Sequence, residues 1–164
     1  MEPSAILGLS INTRKQGLAV ISNNLLVDYH IQLRKEAWTT NKGEQILTSL
    51  QPWFKSYSIK NVALSIPYEK QQSTQTKDLL GTLKSYFKQK KILYSTYLSK
   101  TLYATSQKAR RKTKKEMMRD IVFQYPELSF YYHKEVENKN KYFIKLFEAV
   151  AVATMHAQRL KSRK

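Results

Sequence analysis

Apolar residues first gather in two short runs, Ile6-Leu7-Gly8-Leu9-Ser10-Ile11 and Gly17-Leu18-Ala19-Val20-Ile21, separated by the polar stretch Asn12 to Gln16. Two such runs around a short polar turn predict a β-hairpin. Gly8 within the first run and Gly17 at the head of the second mark places where another backbone can come close. Asn23-Asn24, a pair that tolerates positive φ, precedes the apolar-rich stretch 25–33, so the chain opens as a three-stranded antiparallel meander. His30 falls on this third strand and reads as a sheet-surface histidine.

The period then changes. Ile46, Leu47, Leu50, Trp53 and Phe54 recur at three- and four-residue steps, which predicts a helix over 41–57. Pro52 lies inside it and is expected to kink the helix or end its regular part. Residues 61–66 read as a buried strand stopped by Pro67. Ser73 or Thr74 caps a second helix running to about Lys90, with Leu79, Leu80, Leu83, Tyr86 and Phe87 inward. A fifth strand follows over 92–97. Thr113 and Glu116 have the spacing of a capping box and open a further helix, which Pro126 ends. Residues 129–140 read as a polar, aromatic loop, and 141–160 as a long helix. Its alanines, Ala149, Ala151, Ala153 and Ala157, let a backbone pack tightly on a sheet. Strands alternating with helices after a meander point to an α/β domain with a mixed sheet.

Composition narrows the partner. The chain has 164 residues, 41% of them hydrophobic, with Gly and Pro at four each, which suits one folded domain over 1–164 with a basic C-terminal tail. No cysteine is present, which excludes disulfides and thiolate metal sites. Neither a signal peptide nor a membrane-spanning apolar run is apparent, so a soluble intracellular protein, cytoplasmic or nucleoid-associated, is expected, with no membrane partner. The net charge of +17 favours a polyanion as partner, although a Lys-rich solvated surface would have the same balance. Its distribution favours the first reading: from Leu79 to Lys115 there are 11 Lys and Arg and no acidic residue, interleaved with Tyr86, Phe87, Tyr94, Tyr97 and Tyr103. The densest part, Lys108, Arg110, Arg111, Lys112, Lys114 and Lys115, runs into a helix start, where side chains and free amides both favour an anion.

Three stretches carry a resemblance. Gly8-Leu9-Ser10-Ile11-Asn12-Thr13-Arg14-Lys15-Gln16-Gly17 matches the frame of the opening hairpin of RuvC-type Holliday-junction resolvases, in the RNase H-like superfamily. The segment 101–118 resembles their basic connection after the fifth strand, and Phe147-Glu148-Ala149-Val150-Ala151-Val152-Ala153 with His156 resembles their last signature helix. The resemblance implies a five-stranded sheet in the order 3-2-1-4-5 with helices on both faces. It also implies action on branched or duplex DNA, with RNA left open, a role in DNA recombination, and a homodimer by family analogy.

The family's chemistry does not carry over as readily. Resolvases of this type hold two divalent ions on four carboxylates, which activate water and stabilise the leaving oxygen. In this chain Ser10 stands for the first-strand Asp and Ser65 or Ile66 for the fourth-strand Glu. Lys145 and Glu148 stand for the two aspartates of the last helix. Lys145 is three residues before Glu148, close enough on a helix to pair with it in the place of a metal. Alternatively, Glu148 is an ordinary polar residue at a helix–sheet edge. Of the other acids, Asp28, Glu69, Asp78 and Asp120, Glu69 is the best placed to join Glu148 as a metal ligand, and two are too few for a pair of magnesium ions. The expectation is a nucleic-acid-binding protein with a degenerate site at Ser10, Lys145 and Glu148, contacting phosphates through Arg14, Lys15 and the basic segment, with no cofactor. Two alternatives stand beside it: an active, divergent magnesium-dependent junction endonuclease, and a structural subunit of a nucleoprotein complex.

Overall fold

The computed structural model describes residues 5–35, 37–104, 110–137 and 142–163. The meander forms from β1 (Ile6–Ile11), β2 (Lys15–Ser22) and β3 (Leu25–Leu33). Asn12 shapes the first turn, its side-chain oxygen accepting from the backbone N–H groups of Arg14 (2.9 Å) and Lys15 (2.6 Å). Asn23 and Asn24 make the second turn at φ of 54° and 64°, the left-handed pair of a tight hairpin. Helix α1 (Lys42–Ser56) leads to β4 (Asn61–Ile66), and α2 (Thr74–Gln89), capped by Ser73, leads to β5 (Leu93–Leu98). Pro52 does not end α1, which runs four residues beyond it.

The sheet order is β3-β2-β1-β4-β5, with β1 antiparallel to β2 and parallel to β4. Period-two alternation sends the residues of β1 to different layers. Leu7, Leu9 and Ile11 join Ile46, Leu50, Leu79, Leu83 and Phe87 under α1 and α2. Ile6 joins the opposite layer, built with α3 (Lys114–Gln124), α4 (Ser129–Glu137) and α5 (Ile144–Ser162). The strand is therefore buried on both faces, as suits the centre of an α/β sheet.

Helix α5 lies almost against the sheet backbone. A Cβ on Gly8 would stand 2.2 Å from the Ala149 carbonyl oxygen and 2.7 Å from the Ala153 Cβ, and one on Gly17 only 1.9 Å from the Lys145 carbonyl oxygen. Gly8 thus receives Ala149 and Ala153, and Gly17 receives the backbone at Lys145 and Leu146.

One stretch departs from the sequence reading. The expected loop over 129–140 contains α4. Its pattern looks polar because half of the helix faces solvent, while Tyr131 and Tyr132 pack on the core. Glu135, fully buried, turns Oε2 to the backbone N–H groups of Tyr142 (3.0 Å) and Phe143 (2.6 Å), and so caps the entrance to α5.

Candidate functional site

Ser10, near the end of β1, faces α5 and is fully buried. Its hydroxyl donates to Glu148 Oε1 at 3.2 Å. Lys145, one helical turn earlier on α5, places its ammonium 3.0 Å from the same oxygen, and its side chain is 18% exposed. The Tyr103 hydroxyl donates to the other oxygen, Oε2, at 3.1 Å. Glu148 itself is 5% exposed. The three positions Ser10, Lys145 and Glu148 thus meet, with Tyr103 as a fourth member that no motif signalled. Its traces in the sequence are a place among the tyrosines of the one-sided basic block and within the 101–118 segment, neither of which singles it out as a site residue.

Tyr103 lies in a short 3-10 turn, Ser99–Tyr103, directly after β5. Burial, with the Glu148 charge next, pushes its phenol far above the ordinary tyrosine range, and nearby Arg111 offsets part of this. The hydroxyl therefore keeps its proton and remains a donor to the carboxylate. Beside Ser10 in the sheet register stands Ser65, also buried. The register selects Ser65, rather than Ile66, as the β4 residue level with Ser10.

The basic residues divide by position. Arg14 and Lys15, on the first turn, and Lys114, the first residue of α3, line an open hollow of about 460 Å³ together with Asn12, Ile144, Lys145 and Glu148. Lys15 also lies over the Tyr142 ring, 5.6 Å from its centre. The root of the basic segment is pinned near the same place. Ala104 and Arg111 form an antiparallel bridge, and the Lys112 N–H donates to the Tyr103 carbonyl at 2.8 Å. Arg110 pairs with Glu116 and Lys112 with Asp120, each at 2.7 Å. The capping box is accordingly half made: Thr113 accepts from the Glu116 N–H at 3.1 Å, while the Glu116 carboxylate turns to Arg110. Lys115 is exposed on the first turn of α3, and Lys108 lies outside the described residues.

Divalent magnesium demands several hard oxygen ligands in near-octahedral array. The donors at this site do not fit it. One carboxylate is present, and both of its oxygens are engaged, one by an ammonium. Ser65 supplies only a neutral hydroxyl. Glu69 does not join Glu148. It is exposed on the 3-10 turn Glu69–Gln71 after β4 and does not line the hollow. No group of three or more His, Asp or Glu placed to hold a metal occurs among the described residues. No helix among them is long and apolar enough to cross a membrane.

No protein-family model and no curated protein sequence matches the chain. Solved structures do. Thermus thermophilus RuvC in complex with a Holliday-junction substrate is similar over 96% of this chain and 95% of that one, at TM-score 0.70 and 14% identity. A second Thermus thermophilus RuvC structure covers 96% of both chains, at TM-score 0.66 and 14% identity. Fowlpox virus resolvase, in complex with its substrate Holliday-junction DNA, is similar over 95% of this chain and 98% of that one, at TM-score 0.60 and 17% identity. With the sheet order β3-β2-β1-β4-β5 and helices on both faces, the chain has the RNase H-like fold in the form found in RuvC-type Holliday-junction resolvases.

Proposed function

We propose that the protein binds branched or duplex DNA through the basic face around the β1–β2 turn and the start of α3, and does not cut it. One observation carries the reading. Where a two-metal nuclease of this fold would need a cluster of carboxylates, this chain has a hollow lined by four cationic side chains, Arg14, Lys15, Lys114 and Lys145, and one carboxylate, Glu148. Such a hollow repels divalent cations and attracts phosphate. The lysines opening α3 support it: cations at a helix N-terminus oppose the helix dipole, a cost that a phosphate bound between them offsets. Arg111, held beside Tyr103, extends the same face. The similar structures of Thermus thermophilus RuvC and fowlpox virus resolvase hold Holliday-junction DNA, which makes a four-way junction the first substrate to try.

The Lys145–Glu148 pair is the core of the degenerate site. Its ammonium neutralises the carboxylate and Ser10 and Tyr103 complete the carboxylate's hydrogen bonding, so the group is stable without an ion. The test is a synthetic four-way junction with magnesium or manganese, assayed for both binding and strand scission, using wild type and Glu148→Ala. Binding without scission is expected from both proteins. Scission by the wild type that disappears in Glu148→Ala would overturn the reading in favour of a divergent nuclease. Scission persisting in the variant belongs to a contaminant.

A further inference from the structure

A second polar hollow, of about 390 Å³, lies on the sheet's other flank, between β5 and the C-terminal half of α5. It is lined by Tyr94, Ser95, Thr96 and Tyr97 from the strand and by His156, Arg159, Leu160 and Arg163 from the helix. Along α5, His156 is eight residues from Glu148, about 12 Å at helical rise. Across the sheet, Tyr97 is two strands from Ser10, about 10 Å. The two hollows share no residue.

We propose that this hollow is a second anion site that takes a phosphate group, held by Arg159, Arg163 and the Nε2 edge of His156. His156 is 5% exposed, and its Nδ1 is 2.6 Å from the Tyr97 hydroxyl. A phenol is a stronger acid than a neutral imidazole N–H, so Tyr97 donates and the ring proton sits on Nε2. That Nε2 is buried and has no hydrogen-bond partner among the described residues. A buried donor with nothing to bond is costly and needs an account.

The surroundings state which ligand it wants. Burial, then the charges of Arg163 and Arg159, hold His156 below its ordinary protonation range, so it presents a neutral donor rather than a third cation. Arg159 lies over the Tyr97 ring, 4.7 Å from its centre, within reach of the hollow. No acidic side chain among the described residues lines the hollow, and β5 is an edge strand, so its outer backbone groups are not used by the sheet. Two guanidinium forks, one buried N–H and several hydroxyls make a donor-rich site, and phosphate is the common anion with enough acceptor oxygens for it. On binding, Arg159 turns from the Tyr97 ring to the phosphate.

The full chain is titrated, at fixed ionic strength, with inorganic phosphate, a 5′-mononucleotide and a DNA duplex, while the ¹⁵N and ring-proton signals of His156 are followed by NMR. A saturable shift of the His156 Nε2–H signal is expected, with affinity falling about tenfold or more in the surface variant Arg159→Gln/Arg163→Gln. With inorganic phosphate as the probe, Lys114→Gln, in the other hollow, leaves this shift in place. If the duplex displaces inorganic phosphate, the phosphate is a strand's; if only the small probes move the signal, it is that of a free phosphate compound. An unmoved His156 signal through the millimolar range with all three probes overturns the proposal, and so does an undiminished shift in the double variant.

Discussion

At the scale of single residues, Glu148 depends on its neighbours. Its carboxylate is buried, and Lys145 is the cation that compensates it, with Ser10 and Tyr103 donating hydrogen bonds. Removing one partner of a buried pair leaves the other charge uncompensated, which typically costs more than the pair contributes. Lys145→Met should therefore destabilise the fold by about 3 kcal/mol, read from urea unfolding. Lys145→Met/Glu148→Gln, which removes both charges, should recover most of that loss. Equal losses in the single and double variants would show that the ion pair is not what holds this site. His156 leads to a pH prediction. It faces Arg159 and Arg163 on its own helix and Tyr94 and Tyr97 from β5, and its protonation is depressed below the ordinary value of 6.5. The unfolded chain thus takes up this proton more readily than the folded one. The stability due to His156 is full above 6.5 and is lost as the pH falls below it towards the lower folded-state value. The urea midpoint should drop between pH 7.5 and pH 5, about where histidines titrate, and His156→Gln, which still accepts from Tyr97, should drop less.

At the scale of elements, the seating of α5 on β1 and β2 decides whether the site exists. Gly17 is where the first turn of the helix meets the sheet, under Lys145 itself. A methyl group there cannot be absorbed by a side-chain rotation, because what it meets is backbone. Gly17→Ala should cost about 3 kcal/mol in unfolding free energy, near the upper end of ordinary overpacking. Gly81, inside α2, has nothing within 4 Å of an added Cβ, so Gly81→Ala should instead stabilise by about 1 kcal/mol through helix propensity. The opposite signs from one substitution type, compared by thermal unfolding, separate close packing from backbone freedom. The hairpin glycines and the alanines of the last helix were legible in the sequence as close-approach residues, and α5 meets Gly8 through Ala149 and Ala153, although at Gly17 it is the Lys145 backbone that comes close. The loop expected over 129–140 was not legible as α4, since its short amphipathic pattern is filled out by a buried Glu135 whose carboxylate bonds the backbone just ahead of another helix.

At the scale of the whole molecule, the net charge of +17 is not spread evenly in its effect. Arg110 and Lys112 are already paired with Glu116 and Asp120, whereas Lys114 and Lys115 stand at the start of α3 against its dipole. Lys114→Gln/Lys115→Gln should thus raise the unfolding temperature slightly, by relieving a few tenths of a kcal/mol for each lysine. The same variant should weaken junction binding and reduce the slope of log affinity against log salt by about 0.9 for each phosphate no longer neutralised. A variant that is both less stable and weaker in binding would mean that these lysines support the fold instead of facing DNA.

Local pattern alone determined the three-stranded meander, the alternation of strands with helices and the close-packing glycines, because periodicity, turn chemistry and residue identity are properties of short stretches. Only the tertiary structure could decide that Ser65 is level with Ser10, that Tyr103 reaches Glu148 across 45 residues, and that His156 is left with a buried Nε2 unpartnered among the described residues. Those are consequences of strand register and helix docking, which bring together side chains whose separation along the chain carries no period to read.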